Sequence, residues 1–141
     1  ESLRSYGVGF HRHNSEIQQE IDLYSKKKFS FTFTPHLIPM FRGIFSTIYV
    51  DLKKGVSVKK LEKVLKTKYS KSRFVKILKT NSLLSTNDVI NTNNCSIVIC
   101  KTKYKNRIII LSSIDNLIKG GAGQAVQNMN LKFDFPENRG F

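Results

Sequence analysis

The chain has no tryptophan, two cysteines and three prolines in 141 residues, and only ten acidic residues against 24 Lys and Arg. Two cysteines cannot build the disulfide framework of a small secreted domain, so Cys95 and Cys100 are read as reduced thiols, which suits a cytoplasmic setting. No apolar run approaches the roughly 20 residues that span a bilayer, so neither a transmembrane helix nor a membrane partner is expected. Residues 1–10 show no basic stretch followed by an apolar core, so no secretory leader is expected. The chain opens on Glu1 rather than Met, which suggests the continuation of a longer protein. Three prolines and no low-complexity block leave no linker, and the length suits one domain.

The scarcity of acid leaves a net charge of +14 and a pI near 10.0. Such a balance raises nucleic acid as a partner. Yet 18 of the positive residues are Lys and six are Arg, whereas base reading and bidentate phosphate contact favour Arg. Lys, Asn and Ile share A/T-rich codons, so composition alone accounts for the basicity, and nucleic acid is not the expected partner.

Periodicity outlines the elements. Ile17, Ile21 and Tyr24 recur at helical spacing over 16–24, with Asn14 or Ser15 as cap. Phe29, Phe31 and Phe33 alternate with polar residues as in a strand. Residues 44–52 read as a second strand entered through Gly43. Val58 to Tyr69 carries an apolar stripe of Val58, Leu61, Val64, Leu65 and Tyr69 against Lys59, Lys60, Lys63 and Lys66, with Ser57 as N-cap. That lysine-rich side is read as a solvated outer face, with a phosphate-binding face as the alternative. Short strands follow at 74–78, 96–100 and 107–111, the last two as a hairpin. A closing helix spans 115–131, weakened by Gly120, Gly121 and Gly123. The class is therefore α+β: a mixed or antiparallel sheet with helices on one face.

Three segments concentrate chemistry. In residues 9–16, His11 and His13 flank Arg12, and Glu16 follows in the first helical turn. Imidazoles titrate near neutrality and a carboxylate raises their basicity, so acid–base work is one reading. A facial triad of His11, His13 and Glu16 for a metal is a second, and a capped polar turn a third. In residues 34–44, Pro35 and Pro39 stiffen the link carrying His36, and Arg42 beside Gly43 can present a guanidinium to a carboxylate or phosphate. In residues 115–130, small residues at 120–123 allow close backbone approach ahead of Gln124, Gln127 and Asn128. No strand-borne Gly-x-Gly-x-x-Gly is present, so this is not the dinucleotide fingerprint. The helix looks built to pack on another domain or a cofactor, or tightly on its own sheet.

Taken together, Gly-Phe-His-Arg-His-Asn-Ser-Glu-Ile at 9–17, Phe-Thr-Pro-His-Leu-Ile-Pro-Met-Phe-Arg-Gly-Ile at 33–44 and the run at 115–130 resemble the C-terminal part of N-acetyl-gamma-glutamyl-phosphate reductases. Ser85 to Val89, Thr92-Asn93, Cys95 and the closing Pro136 to Phe141 add to the likeness. The resemblance implies the C-terminal half of a glyceraldehyde-3-phosphate-dehydrogenase-like fold. It implies a reaction in which a cysteine thiolate attacks an acyl phosphate and expels phosphate, NADPH reduces the thioester, and a semialdehyde of arginine biosynthesis is released. It implies His11 as the acid–base residue, with His13, Glu16, Arg12 and Arg42 on the substrate. Gln124, with Asn116, Gln127 and Asn128, would face the cofactor NADP, held mainly by a preceding domain. It also implies an acyl-phosphate substrate and a homo-oligomer formed through the sheet. Residues 1–114 would be the substrate-binding and dimerisation domain, and 115–141 a helix and tail packing on the nucleotide-binding domain. Cys95 and Cys100 follow the His-Arg-His motif and do not match the nucleophile's place, so these residues alone are expected to be inactive. Gly121 stands where the family usually has alanine. The related aminoadipyl-phosphate reductase of lysine biosynthesis, a stand-alone nucleic-acid-binding module and a small metal-binding domain remain alternatives.

Overall fold

The eight residues Ile44–Asp51 (β3 below) are rich in β-branched and aromatic side chains, which favour a pleated strand over a helix. The computed structural model describes residues 2–25 and 28–141. By contact the chain divides into two units, Glu1–Phe41 and Arg42–Phe141.

The first unit holds strand β1 (Arg4–Ser5), helix α1 (His13–Tyr24) and strand β2 (His36–Leu37). β1 and β2 pair antiparallel, Arg4 opposite Leu37 and Ser5 opposite His36. None of the unit's described residues is buried. The helix begins at His13, earlier than the caps read from sequence, with Arg12 as N-cap; Ser15 Oγ donates back to the Arg12 carbonyl at 2.8 Å. The strand expected at 29–33 does not form. Phe31 and Phe33 are half-buried while Thr32 and Thr34 are exposed. Phe29 is exposed, so the one-sided burial is confined to Phe31 and Phe33, and among the described residues no ladder partner accompanies them.

The second unit is a four-stranded mixed sheet in the order β3-β6-β5-β4. Its members are β3 (Ile44–Asp51), β4 (Val75–Ile77), β5 (Cys95–Lys101) and β6 (Arg107–Ile114). β4 runs parallel to β5; the other pairings are antiparallel, and β5–β6 is the expected hairpin. Helix α2 (Val58–Lys68) starts where Ser57 Oγ accepts the Lys60 N–H at 3.2 Å, as its sequence predicts. It packs against β4 and β5. A capping box at Ser85 opens a short 3₁₀ turn, Thr86–Asp88, and delivers Val89 to full burial.

Burial is deepest on β5 and β6. Ser96, Val98 and Ser113 lie on one face, Ile99 and Ile108 on the other, and all five are buried. The α+β expectation holds: a mixed sheet with helices on one face. The closing helix is broken, however. Residues 118–122 form a wide π-type turn kinked at Gly121, and the α-helix proper is α3 (Gly123–Lys132).

Candidate functional site

The first unit builds its site around His11. Gly7 and Gly9 take positive φ (+56° and +78°), and the Phe10 N–H closes a turn on the Gly7 carbonyl. A Cβ on Gly7 would lie 3.1 Å from His11 Cδ2, so the glycine lets the chain fold against the imidazole. His11 Nδ1 accepts the His13 backbone N–H at 3.2 Å. The ring is flanked edge-on by Tyr6, His13 and Phe33, with centroids 5.2, 4.6 and 5.5 Å away. With Nδ1 accepting, the ring nitrogen left to act as donor is Nε2. His13 Nε2 lies 3.9 Å from Glu16 Oε2, an exposed and loose pair, and Arg12 is exposed beside them. Among the described residues no group of three His, Cys, Asp or Glu side chains is placed to hold a metal ion. His36 is exposed on β2.

In the second unit the centre is Asp115, fully buried at the end of β6. Its Oδ1 accepts from Arg42 Nη2 at 2.8 Å and from the Leu117 and Ile118 N–H groups at 2.8 and 3.0 Å; its Oδ2 accepts from the Asn91 N–H at 2.8 Å. Burial pushes the carboxyl pKa up. The Arg42 bond and the three backbone donors outweigh it and hold the group at about 2. Arg42 Nη1 donates to Asn91 Oδ1 at 3.1 Å, and Asn91 takes φ +62° to present both groups. Asn116 Oδ1 accepts the Gly43 N–H at 2.7 Å. The entry to β3 and the exit of β6 are thereby tied to one carboxylate and one amide.

Beyond the kink, α3 divides its polar residues. Gln124 and Asn128 are exposed and bond each other at 2.9 Å. Gln127 turns inward. Its Oε1 accepts from Asn93 Nδ2 at 3.0 Å and Lys119 Nζ at 2.6 Å, and its Nε2 donates to Glu137 Oε1 at 2.8 Å. Burial draws the Lys119 ammonium below the ordinary lysine range, partly offset by Cys95 and Glu137. Asn130, fully buried, donates to the Glu137 and Arg139 carbonyls. The tail is therefore clasped to α3.

Of the residues singled out from sequence, His11, Arg12, His13 and Glu16 gather in one unit. Arg42, bonded to Asp115, and Asn116, bonded to the Gly43 N–H, lie in the other; Gln124 and Asn128 pair on the outside of α3, and Gln127 sits in the tail clasp. Asp115, Asn91, Asn93, Lys119 and Asn130 were assigned no role by sequence. An Asp directly after a strand and ahead of a turn is a cap signature, and that signal would have found Asp115.

A family model of the semialdehyde dehydrogenase dimerisation domain matches residues 1–116, and the chain belongs to that family. A solved aspartate semialdehyde dehydrogenase from Francisella tularensis superposes with a TM-score of 0.69 over 94% of this chain and 39% of that one; at 17% identity it shows the shared fold. Within the family the chain is similar to N-acetyl-gamma-glutamyl-phosphate reductases, as its motifs imply. It is 47% identical over 141 residues to that of Pelobacter propionicus, covering 99% of this chain and 41% of the relative. It is 48% identical over 140 residues to that of Vesicomyosocius okutanii (99% and 40%). A probable chloroplastic reductase of Arabidopsis thaliana is 43% identical over 140 residues (99% and 35%). The chain spans about two fifths of the length of the bacterial relatives.

Proposed function

We propose that the chain supplies the substrate-side and subunit-joining part of an NADP-dependent N-acetyl-gamma-glutamyl-phosphate reductase, working in the cytoplasm in arginine biosynthesis. The observation that carries the reading is His11. Its Nδ1 is engaged by the His13 N–H, so its Nε2–H is free to donate to the oxygen that gains charge when a thiol adds to an acyl phosphate. The thiol is assigned to polypeptide preceding the histidine motif. Cys95 and Cys100 lie on opposite faces of β5, so they cannot pair with each other, which fits a reducing compartment.

Arg12 offers an exposed cation to the anionic substrate, with His13 and Glu16 beside it. Arg42 has two nitrogens bound within the chain, and its 15% exposed side chain leaves only an edge for an anion. NADPH, when bound, supplies the hydride. The exposed amides of Gln124 and Asn128 fit a carboxamide partner, as does the Asn116 amide nitrogen. Gln127 fits less well, since both ends of its amide are engaged. Residues 115–141 are assigned to the contact with the nucleotide-binding part. Subunit joining is assigned to the sheet, where Ile44, Phe45, Ile48 and Tyr49 of β3 are 38–70% exposed.

The test is the reverse reaction on the product of the complete reading frame that encodes these residues: NADPH formation from N-acetylglutamate semialdehyde, NADP and phosphate. His11→Asn is expected to lower turnover by about 10²–10⁴-fold while the protein stays folded. A folded protein without semialdehyde-dependent NADPH formation overturns the proposal. So does turnover confined to a carrier-bound aminoadipyl substrate.

A further inference from the structure

The positive charge is not spread along the chain. Residues 53–79 hold eleven Lys and Arg against one acid, Glu62, a net of +10 out of +14 in under a fifth of the length. Codon bias explains many lysines; it does not by itself explain this concentration. All eleven basic residues are exposed. Lys59, Lys63 and Lys66 recur at i, i+4 and i+7 on α2 and line one shallow groove with Thr67 and Ser70. Neighbouring positions in such a row are about 6 Å apart. The lone acid in the groove is already engaged: Glu62 accepts from Lys66 at 2.7 Å and from Thr80 at 2.9 Å.

We infer that this face of α2 docks, without reading sequence, on the phosphate backbone of a double-stranded nucleic acid. This goes beyond the reductase reading and does not depend on it. The chemistry of the face selects the partner. Lysines on one helix edge suit the closely spaced phosphates of a duplex, one charge per about 1.7 Å of axis. The groove carries no Arg, so bidentate base reading is absent. It carries no aromatic platform on which single-stranded bases would stack. A protein partner is disfavoured because the groove lacks the Trp, Tyr and Arg anchors of protein interfaces. A lipid surface is disfavoured because no aromatic or leucine side chain lines the groove to insert.

The experiment measures binding of the purified protein to a short mixed-sequence duplex by fluorescence anisotropy across a salt series. The expected result is binding that weakens linearly in log–log form. The triple variant Lys59→Gln, Lys63→Gln and Lys66→Gln should reduce that slope by about 3, close to 0.9 per lost contact. A charge-matched control, Lys103→Gln, Lys105→Gln and Lys132→Gln, should leave the slope nearly unchanged. Each single α2 substitution should remove about 0.9, which keeps a readout if the triple variant unfolds. Equal loss in the control reduces the effect to net charge and overturns the inference. Absence of salt-dependent duplex binding also overturns it, as does displacement of the duplex by polyglutamate or phosphatidylserine vesicles at matched charge.

Discussion

Replacing Asp115 by Ala is expected to destabilise the second unit by about 3–5 kcal/mol, the range for breaking one half of a buried ion pair. The loss has several sources. The variant strands the Arg42 guanidinium, which is 15% exposed, and removes the acceptor from the N–H groups of Asn91, Leu117 and Ile118. Urea unfolding followed by circular dichroism reads the effect, and a loss under about 1 kcal/mol would mean that the knot is not structural. The same carboxylate sets an acid limit. Its folded pKa of about 2 lies below the ordinary 3.8, so its contribution is complete above pH 3.8 and is lost as pH falls from there towards 2. The amount is about 2 kcal/mol, and Asp115→Ala should flatten stability over that window relative to the parent chain.

Gly123→Ala is the second large effect, and its sign runs against helix propensity, which favours Ala over Gly by about 1 kcal/mol. The added Cβ would fall on Asn93 Oδ1 and come within 2.6 Å of Ile118 Cγ2 and 2.8 Å of the Ile118 carbonyl. Asn93 is 3% exposed and bonded to Gln127, so it has little room to retreat. A net loss of about 1–3 kcal/mol is expected from over-packing. Gly120→Ala is the internal comparison: its Cβ would meet Ile114 Cδ1 at 3.4 Å, an ordinary contact. Thermal melts of the two variants should separate clearly, and coincident melting points would refute the close approach at Gly123.

What was legible in sequence was local. α2 matched within a residue because its apolar stripe and its Ser57 cap are contained in one short window. β3 matched because β-branched residues and the Gly43 entry sit side by side. The failures needed information from elsewhere. Phe29 to Phe33 alternate convincingly, yet a strand also requires a partner, and alternation does not reveal one. The single helix read over 115–131 missed the turn at 118–122, where the Gly120 and Ala122 N–H groups bond five residues back, to the Asp115 and Leu117 carbonyls, and Gly121 leaves helical geometry. Arg42 is expected from sequence to hold an anion; the anion it holds within the chain is Asp115, 73 residues on, and no motif couples the two. Gln124 and Gln127 look equivalent in sequence, but a three-residue step round a helix short of a full turn, together with Asn93, Lys119 and Glu137, sends one outward and the other into the tail clasp.

The strand order also carries a colloidal consequence. β3 is the longest member at an edge of its sheet, with β6 as its neighbour on one side. Along its other side no strand pairs with it among the described residues. Proteins usually blunt such edges with proline, lysine or a bulge. β3 has no proline and no lysine, only Asp51 at its far end. The outward-facing backbone of this edge is a template on which another strand can grow. Whatever covers that edge in the assembled protein is therefore also its guard against fibrous aggregation.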